Sequence, residues 1–237
     1  MVAEFKQSMM NEFDIPDLSK IRLFLGVEVS QLSEGIFINQ RKYTLNVLKK
    51  FGMEHCNPVQ NPIVPGCKLF PDENEVVVDG TCYRKLVGNM MYITNTRPYI
   101  VFVVRLLSRY MSRPTELHLL VAKRVLSYLQ GTSDFGLFNK KNGNNELIGY
   151  TDSDYAWDIK DEKSTSGYVF ILSSAAVAWS SQKHHIDTLS TTEAEFVAAA
   201  ACSTQAIWMK RILPTLGYQG DERTINYTAD QKSSFPC

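Results

Sequence analysis

Three acidic residues of this chain stand where a strand ends or a helix begins. Asp152 closes the apolar run 147–152, Glu193 falls in the first turn of a helix predicted over 190–213, and Asp230 follows a second apolar run. Acids at such positions can meet at one edge of a sheet. Carboxylates without Cys or His ligands suit Mg²⁺, a hard cation that prefers oxygen. Two such ions held about 4 Å apart hydrolyse phosphodiesters, so the pattern indicates a site of that kind.

A structural role competes with metal binding at the helix start. Ser190 and Glu193 have the spacing of a capping box, and so do Thr192 and Glu195. In a capping box the glutamate satisfies a backbone N–H near the helix N-terminus. Either glutamate can therefore serve the helix rather than an ion.

Other polar residues near these acids have simpler interpretations. His184 and His185 precede the helix without a third ligand type nearby, which predicts exposed loop residues. His118 has no histidine at i±4, which favours a surface or half-buried helix residue over a ligand. Four further acids in the loop after the first strand are interpreted as solvated charges, with Asp154 close enough in sequence to compete for ions. They are Asp154, Asp158, Asp161 and Glu162.

Positive charge is concentrated in residues 81–133, although the whole chain has zero net charge. This segment holds eight basic residues and one acid, Glu116, which is a net charge of +7. A basic, mostly helical segment is the usual footprint of phosphate binding, and a set of solvated helix faces explains the charge equally well. The candidate nucleic-acid-binding residues are Arg84, Lys85, Arg97, Arg105, Arg109, Arg113, Lys123 and Arg124.

Composition and length exclude several classes of protein. The 237 residues are 44% hydrophobic and 21% charged, which suits one large or two small globular domains. Five scattered cysteines without a C-x-x-C spacing argue against a zinc site and for a reducing compartment. No signal-peptide pattern is present, and the apolar run 100–104 is too short to span a bilayer. We expect an intracellular protein, cytoplasmic or nuclear, without a membrane partner.

The first half of the chain predicts a hairpin, a spacer and helices. Apolar residues alternate with other residues over 21–29, which predicts a strand. A turn at 33–35 and a return strand at 36–38 complete the predicted hairpin, and a helix over 41–51 follows. Prolines in 53–80 favour an extended linker. The segment 81–132 then reads as three helices separated by Pro98 and Pro114. Thr115 can cap the last of them, whose core face is predicted from an i, i+4 row. That row is Leu117, Val121, Val125 and Leu129.

The second half alternates between strands and one long helix. A strand is predicted over 146–152, and a hairpin joins 167–172 to 175–180. The helix over 190–213 follows, and a last strand covers 224–228.

Several strings of residues resemble the end of copia-type retrotransposon Pol polyproteins, where reverse transcriptase is followed by RNase H. In the second half they are LIGYTDSD at 147–154, STSGYVF at 164–170, AWSS at 178–181 and LSTTEAEF at 189–196. Upstream they are FLGVE at 24–28, QRKY at 40–43, YRKLVG at 83–88, TRP at 96–98 and AKRVLSYLQGT at 122–132.

The resemblance implies an α+β fold in which an incomplete RNase H-like mixed sheet with helices follows a hairpin, a helix and a helical connection. The implied parts are 1–52, the reverse transcriptase tail; 53–80, a proline-rich linker; 81–140, a basic helical connection; and 141–237, a truncated RNase H-like domain. Asp152, Glu193 and Asp230 would hold Mg²⁺, with Mn²⁺ as an alternative. The resemblance also implies that the Asp152 strand is central in its sheet and paired on both sides. The implied reaction is hydrolysis of RNA in RNA–DNA hybrids, and the implied partner is a hybrid or duplex nucleic acid.

Departures from the family pattern lead us to expect very slow cleavage or none. The chain contains no Asp-Asp pair, so the polymerase Tyr-x-Asp-Asp site is absent. A fourth RNase H acid is expected beyond the third, and the chain ends at Cys237, 7 residues after Asp230. Tyr99 stands where relatives carry Asp, and Trp157 where they carry Gly. The alternatives are a catalytically inactive nucleic-acid-binding module and a protein-interaction remnant.

Overall fold

The computed structural model describes residues 22–67, 69, 76–141, 146–156, 158 and 161–216, together with the backbone of a last strand at 225–229. Asp230 and Trp157 lie outside the described residues. The described residues form helices and two four-stranded sheets, which is the α+β fold that the sequence predicts. None of the described helices is long and apolar enough to cross a membrane.

The first sheet joins the N-terminal hairpin to a strand far along the chain. Its antiparallel order is β1 (Leu23–Phe24), β2 (Val27–Gln31), β3 (Gly35–Asn39) and β4 (Gly136–Lys140). The last two strands come so close at Gly35 that a Cβ there would lie 2.1 Å from the Asn139 carbonyl oxygen. Glycine is therefore required at Gly35 for β3 and β4 to pair.

Four helices pack around the larger hydrophobic core. They are α1 (Arg41–Lys50), α2 (Gly80–Ile93), α3 (Val101–Ser108) and α4 (Glu116–Gly131), with 3₁₀ turns at Thr94–Thr96 and Pro98–Ile100. Val121, Val125 and Leu129 are buried in this core, and Leu117 packs against it. The predicted core face of α4 is therefore confirmed.

His118 is fully buried, so the prediction of a surface or half-buried residue is wrong. The Thr115 N–H donates to His118 Nδ1 at 3.0 Å, and the imidazole stacks on Tyr110 with ring centroids 4.0 Å apart. Thr115 precedes α4, so His118 acts in the capping box of that helix. A side chain that bonds backward to its own helix start can be buried without a metal.

The proline-rich segment has no helix or strand among its described residues, as its prolines predict. It nevertheless lies against the helices. Arg124 Nε donates to the Asn61 carbonyl at 3.1 Å, and Tyr110 Oη donates to the Leu69 carbonyl at 2.7 Å. Further on, Val77 forms a single β-bridge with Thr115. These contacts tie the segment to α4 and its neighbours.

The second sheet has the order β7-β6-β5-β8, so β5 is central and paired on both sides. This confirms the predicted place of the Asp152 strand. β5 (Leu147–Asp154) runs antiparallel to β6 (Thr165–Leu172) and parallel to β8 (Ile225–Ala229), while β7 (Ala175–Lys183) completes the hairpin with β6.

The long helix α5 (Thr191–Ile212) lies on one face of this sheet. The small buried residues of α5 let the helix lie close to the sheet. Within the sheet, Gly149 of β5 is paired with Phe170 of β6, and a Cβ at Gly149 would lie only 2.7 Å from a carbon of the Phe170 ring. Across the sheet, Trp179 Nε1 of β7 donates to the Thr94 carbonyl at 3.2 Å and so contacts the helical core. The buried row on α5 is Ala194, Ala198, Cys202, Ala206 and Met209.

Candidate active site

Asp152 lies near the carboxyl end of β5 and is exposed. Its neighbours along the sheet are held in register, with Asp152 opposite Gly167 of β6 and Thr151 opposite Ala229 of β8. Its Oδ1 accepts a hydrogen bond from the Ser153 N–H at 2.9 Å. A central strand thus presents one carboxylate to solvent at a fixed place.

Glu193 adopts the capping geometry that its spacing from Ser190 allows. The Glu193 N–H donates to Ser190 Oγ at 3.1 Å, and Glu193 Oε2 accepts from the Leu189 N–H at 2.6 Å. Its carboxylate is therefore directed at the chain that enters α5. Whether Glu193 also binds an ion stays a prediction.

Glu195 lies on α5, the helix that packs on β5. Burial raises its carboxyl pKa most, the charge of Asp152 raises the pKa further, and hydrogen bonding to the Ser153 backbone lowers it. A neighbouring negative charge raises the pKa of a carboxyl group because it disfavours the ionised form. Asp152 and Glu195 are therefore close enough to interact electrostatically, and they are called the carboxylate pair below.

Helical periodicity contains the signal that distinguishes the two glutamates. Successive residues turn about 100° around a helix, so the centre of the buried row on α5 lies about 40° from Glu195 and about 160° from Glu193. Glu195 therefore borders the face that packs on the sheet. The capping-box spacing applied to both glutamates, and it was the family resemblance that pointed to Glu193.

Both side chains of the pair would bind a metal through carboxylate oxygens, which are the ligands that a hard divalent cation prefers. Among the described ranges, no group of three or more His, Cys, Asp or Glu side chains could hold a metal ion. Asp230, the third predicted ligand, lies outside those ranges, although β8 ends at Ala229. The fit to Mg²⁺ thus rests on Asp152 and Glu195.

Asp158 is not a solvated loop charge, so that prediction is wrong. Only 6% of its side chain is exposed, and Oδ2 lies 2.6 Å from Lys183 Nζ and 3.3 Å from Arg109 Nη1. Two cations compensate for the removal of its charge from water. By contrast, Asp154 and Asp161 are exposed, as predicted.

His184 is also buried, against the prediction of an exposed loop residue, whereas His185 is exposed. His184 Nε2 and Ser166 Oγ form a hydrogen bond, and Nδ1 is buried without a hydrogen-bond partner within the described part of the chain. Burial lowers the pKa of His184, which favours the neutral imidazole. This histidine packs β7 against β6 at the entrance to α5.

The eight predicted phosphate-binding residues divide by exposure. Arg97 is 0% exposed and donates to the Thr132 and Ser133 carbonyls after α4, so it belongs to the core. Arg109 is 16% exposed and paired with Asp158. Arg124 is half-buried. The exposed ones are Arg84, Lys85, Arg105, Arg113 and Lys123.

Comparisons with known proteins place the chain in a family. The family model for "Reverse transcriptase (RNA-dependent DNA polymerase)" matches residues 1–65. The Pol polyprotein from transposon RE1 of Arabidopsis thaliana is 34% identical over 230 residues, covering 97% of this chain and 16% of that protein. The Pol polyprotein from transposon TNT 1-94 of Nicotiana tabacum is 34% identical over 236 residues, covering 95% of this chain and 18% of that protein.

The chain belongs to the copia-type retrotransposon Pol family. It spans less than a fifth of the length of these polyproteins. An uncharacterized mitochondrial protein of Arabidopsis thaliana is 30% identical over 207 residues, covering 84% of this Pol chain and 83% of that protein. No solved structure matches this Pol chain significantly.

Proposed function

We propose that β5, β8 and α5 form an RNase H-type centre that hydrolyses RNA in an RNA–DNA hybrid with Mg²⁺, or with Mn²⁺ in its place. The observation that carries the proposal is the exposed carboxylate of Asp152 on the central strand β5, on which α5 packs with Glu195 close enough for the charge of Asp152 to raise its pKa. Two neighbouring carboxylates repel each other, and a divalent cation bound between them relieves that repulsion. The resemblance of residues 147–196 to copia-type RNase H supplies the reaction.

Each described residue of the proposed centre has its own task. Asp152 and Glu195 would supply oxygen ligands, and the Ser153 N–H, which donates to Asp152 Oδ1 at 2.9 Å, orients the Asp152 carboxylate. Asp230 is the third ligand that the resemblance implies. A bound Mg²⁺ supplies an activated water and stabilises charge on the phosphate oxygens. We assign Glu193 to capping, because its carboxylate already accepts the Leu189 N–H.

A hybrid-cleavage assay tests this proposal. Because the sequence predicts weak cleavage, protein is used in excess over a labelled RNA–DNA hybrid, with Mg²⁺ or Mn²⁺ and with Ca²⁺ as the control ion. We expect cleavage that requires Mg²⁺ or Mn²⁺ and disappears in Asp152→Asn. Absence of both cleavage and Asp152-dependent Mn²⁺ binding would contradict the proposal.

The exposed basic side chains of 81–133 favour a second candidate, a nucleic-acid-binding module without catalysis. Five of the predicted phosphate ligands remain exposed in this segment. Backbone binding of this kind is independent of sequence and weakens steeply with salt, because each neutralised phosphate releases counterions. Binding that is unchanged in Asp152→Asn, without any cleavage by the unsubstituted chain, would favour this second candidate.

A further inference from the structure

Asp158 lies between the helical core and the second sheet, and it follows the Asp152 strand by only a few residues. Its carboxylate contacts Lys183 of β7 and Arg109, which directly follows α3. With 6% of its side chain exposed, Asp158 is a buried charge held from two sides.

Arg109 joins the connection between β5 and β6 to the first residue of β6. Nη1 reaches Asp158 Oδ2 at 3.3 Å, and Nη2 donates to Thr165 Oγ1 at 2.9 Å, where β6 begins. The planar guanidinium can hold two acceptors in a fixed arrangement, which a lysine cannot reproduce. Arg109 is thereby committed to this connection and does not face solvent as a phosphate ligand.

The same connection is tied to the chain that enters α5. Ser164 and Thr188 share a hydrogen bond between hydroxyls at 2.8 Å, and the His184 N–H donates to the Ser164 carbonyl at 2.9 Å. The Ala156 N–H also donates to Ser164 Oγ at 3.2 Å. Contacts therefore run from the end of β5, through Ser164, to the start of the helix that carries Glu195.

We propose that Arg109 and Asp158 are positioning residues that hold the connection between β5 and β6, and through it the separation of Asp152 and Glu195. The inference rests on the proposed function, because it gives that carboxylate pair a mechanical support. It also links the basic helical segment to the site, since Arg109 belongs to that segment and Asp158 to the connection that follows the Asp152 strand. Loss of Asp158 leaves the Arg109 guanidinium without its carboxylate, and loss of Arg109 leaves the buried Asp158 with Lys183 alone. Either loss should therefore shift the connection.

The test compares Arg109→Gln and Asp158→Asn, alone and together, in the full chain. Each single substitution should weaken Mn²⁺ binding at the carboxylate pair and lower kcat on hybrid by about tenfold or more, since a displacement of about 1 Å can cost about a hundredfold. The double variant should be no worse than the worse single one, because both disrupt one contact. KM and the salt dependence of hybrid binding should stay unchanged.

Asp161→Asn is the matched control. Asp161 carries the same charge in the same connection and lies 2.7 Å from Lys183 Nζ, but its side chain is 39% exposed. It should leave Mn²⁺ affinity and kcat near the unsubstituted values. Hydrogen exchange of peptides covering 153–164 should accelerate in the Asp158 and Arg109 variants and not in the control.

The outcomes separate this inference from the proposed function. If the unsubstituted chain neither binds Mn²⁺ through Asp152 nor cleaves hybrid, the proposed function fails, and hydrogen exchange alone decides whether the pair holds the connection. Unchanged Mn²⁺ affinity and kcat in folded Arg109→Gln and Asp158→Asn would overturn the positioning role. A flattened salt slope in Arg109→Gln would also overturn it, because Arg109 would then be contacting phosphate.

Discussion

Glu195 of α5 lies close enough to Asp152, near the end of β5, for the charge of Asp152 to act on the Glu195 carboxyl group. The charge of Asp152 and partial burial together raise the pKa of Glu195. A strand and a helix that are separate in sequence thus bring two acids into one electrostatic environment. Glu193, two residues earlier on the same helix, is hydrogen-bonded to the Leu189 N–H instead.

The two glutamates should differ in their effects when substituted. Glu195→Gln should abolish detectable cleavage and weaken Mn²⁺ binding, because it removes a charged ligand beside Asp152. Glu193→Gln should retain Mn²⁺ binding and lower the free energy of unfolding by about 1 kcal/mol or less, because a glutamine can still accept the cap hydrogen bond. Calorimetric titration with Mn²⁺ and denaturant unfolding distinguish them, and the reverse pattern would restore Glu193 as the ligand.

Divalent cations should stabilise the fold through the carboxylate pair. The raised pKa of Glu195 means that its proton binds more tightly in the folded chain, so its contribution to stability is present below the unfolded pKa and is lost as pH rises through the folded value. Mg²⁺ or Mn²⁺ should therefore raise Tm more at pH 7 than at pH 4, and Glu195→Gln should remove the difference. Tm measured by thermal unfolding checks this, and an equal rise at both pH values would contradict it.

His184 should make the fold sensitive to acid. Burial lowers its pKa, so its contribution to stability is present above the unfolded pKa of about 6.5 and is lost as pH falls through the folded value. Denaturant unfolding should give a lower free energy of unfolding at pH 5 than at pH 7.5, and this difference should be smaller in His184→Asn. His185→Asn is the matched control, since His185 is exposed and adjacent. Equal effects of the two substitutions would speak against a special role for His184.

Arg97 should contribute to stability and not to nucleic-acid binding. Its guanidinium is buried and donates to carbonyls that follow α4, where a positive charge also interacts favourably with the helix dipole. Arg97→Lys should lower the free energy of unfolding by about 1–3 kcal/mol, because an ammonium cannot reproduce the fork of donors. Lys85→Gln, at an exposed position, should change it by about 0.5 kcal/mol or less. Denaturant unfolding of both variants checks the contrast.

Exposed basic residues should set the salt dependence of hybrid binding. Removing Arg105 and Lys123 together should flatten the slope of log K against log salt by about 0.9 for each phosphate that is no longer neutralised. Filter binding at several salt concentrations measures the slope. A slope unchanged by the double substitution to Gln would mean that these side chains are only solvated helix faces.

Local sequence patterns predicted most of the elements of this chain. Turn residues predicted the hairpin of β2 and β3, and the i, i+4 row ending at Leu129 predicted the buried face of α4. The strand predicted over 21–29 is instead two short strands, because the chain turns at Leu25 and Gly26, where φ is positive. The strand β4 was not predicted, because its partner β3 lies about 100 residues earlier in the chain. The central place of β5 was implied by the resemblance to copia-type RNase H. The turn of a hairpin and the i, i+4 row of a helix involve residues only a few positions apart. Within such a distance, the backbone geometry of the element sets the direction in which each side chain points.

Only the tertiary structure decided which charged residues are buried and which acids meet. Arg97, Asp158 and His184 look like surface residues in sequence, yet each is buried by partners from distant segments. The side on which α5 packs puts Glu195 nearer to the sheet than Glu193, because residues two apart on a helix face away from each other. Burial of charge depends on long-range pairing that no local pattern encodes, so the sequence determined the elements of the site and the packing determined its chemistry.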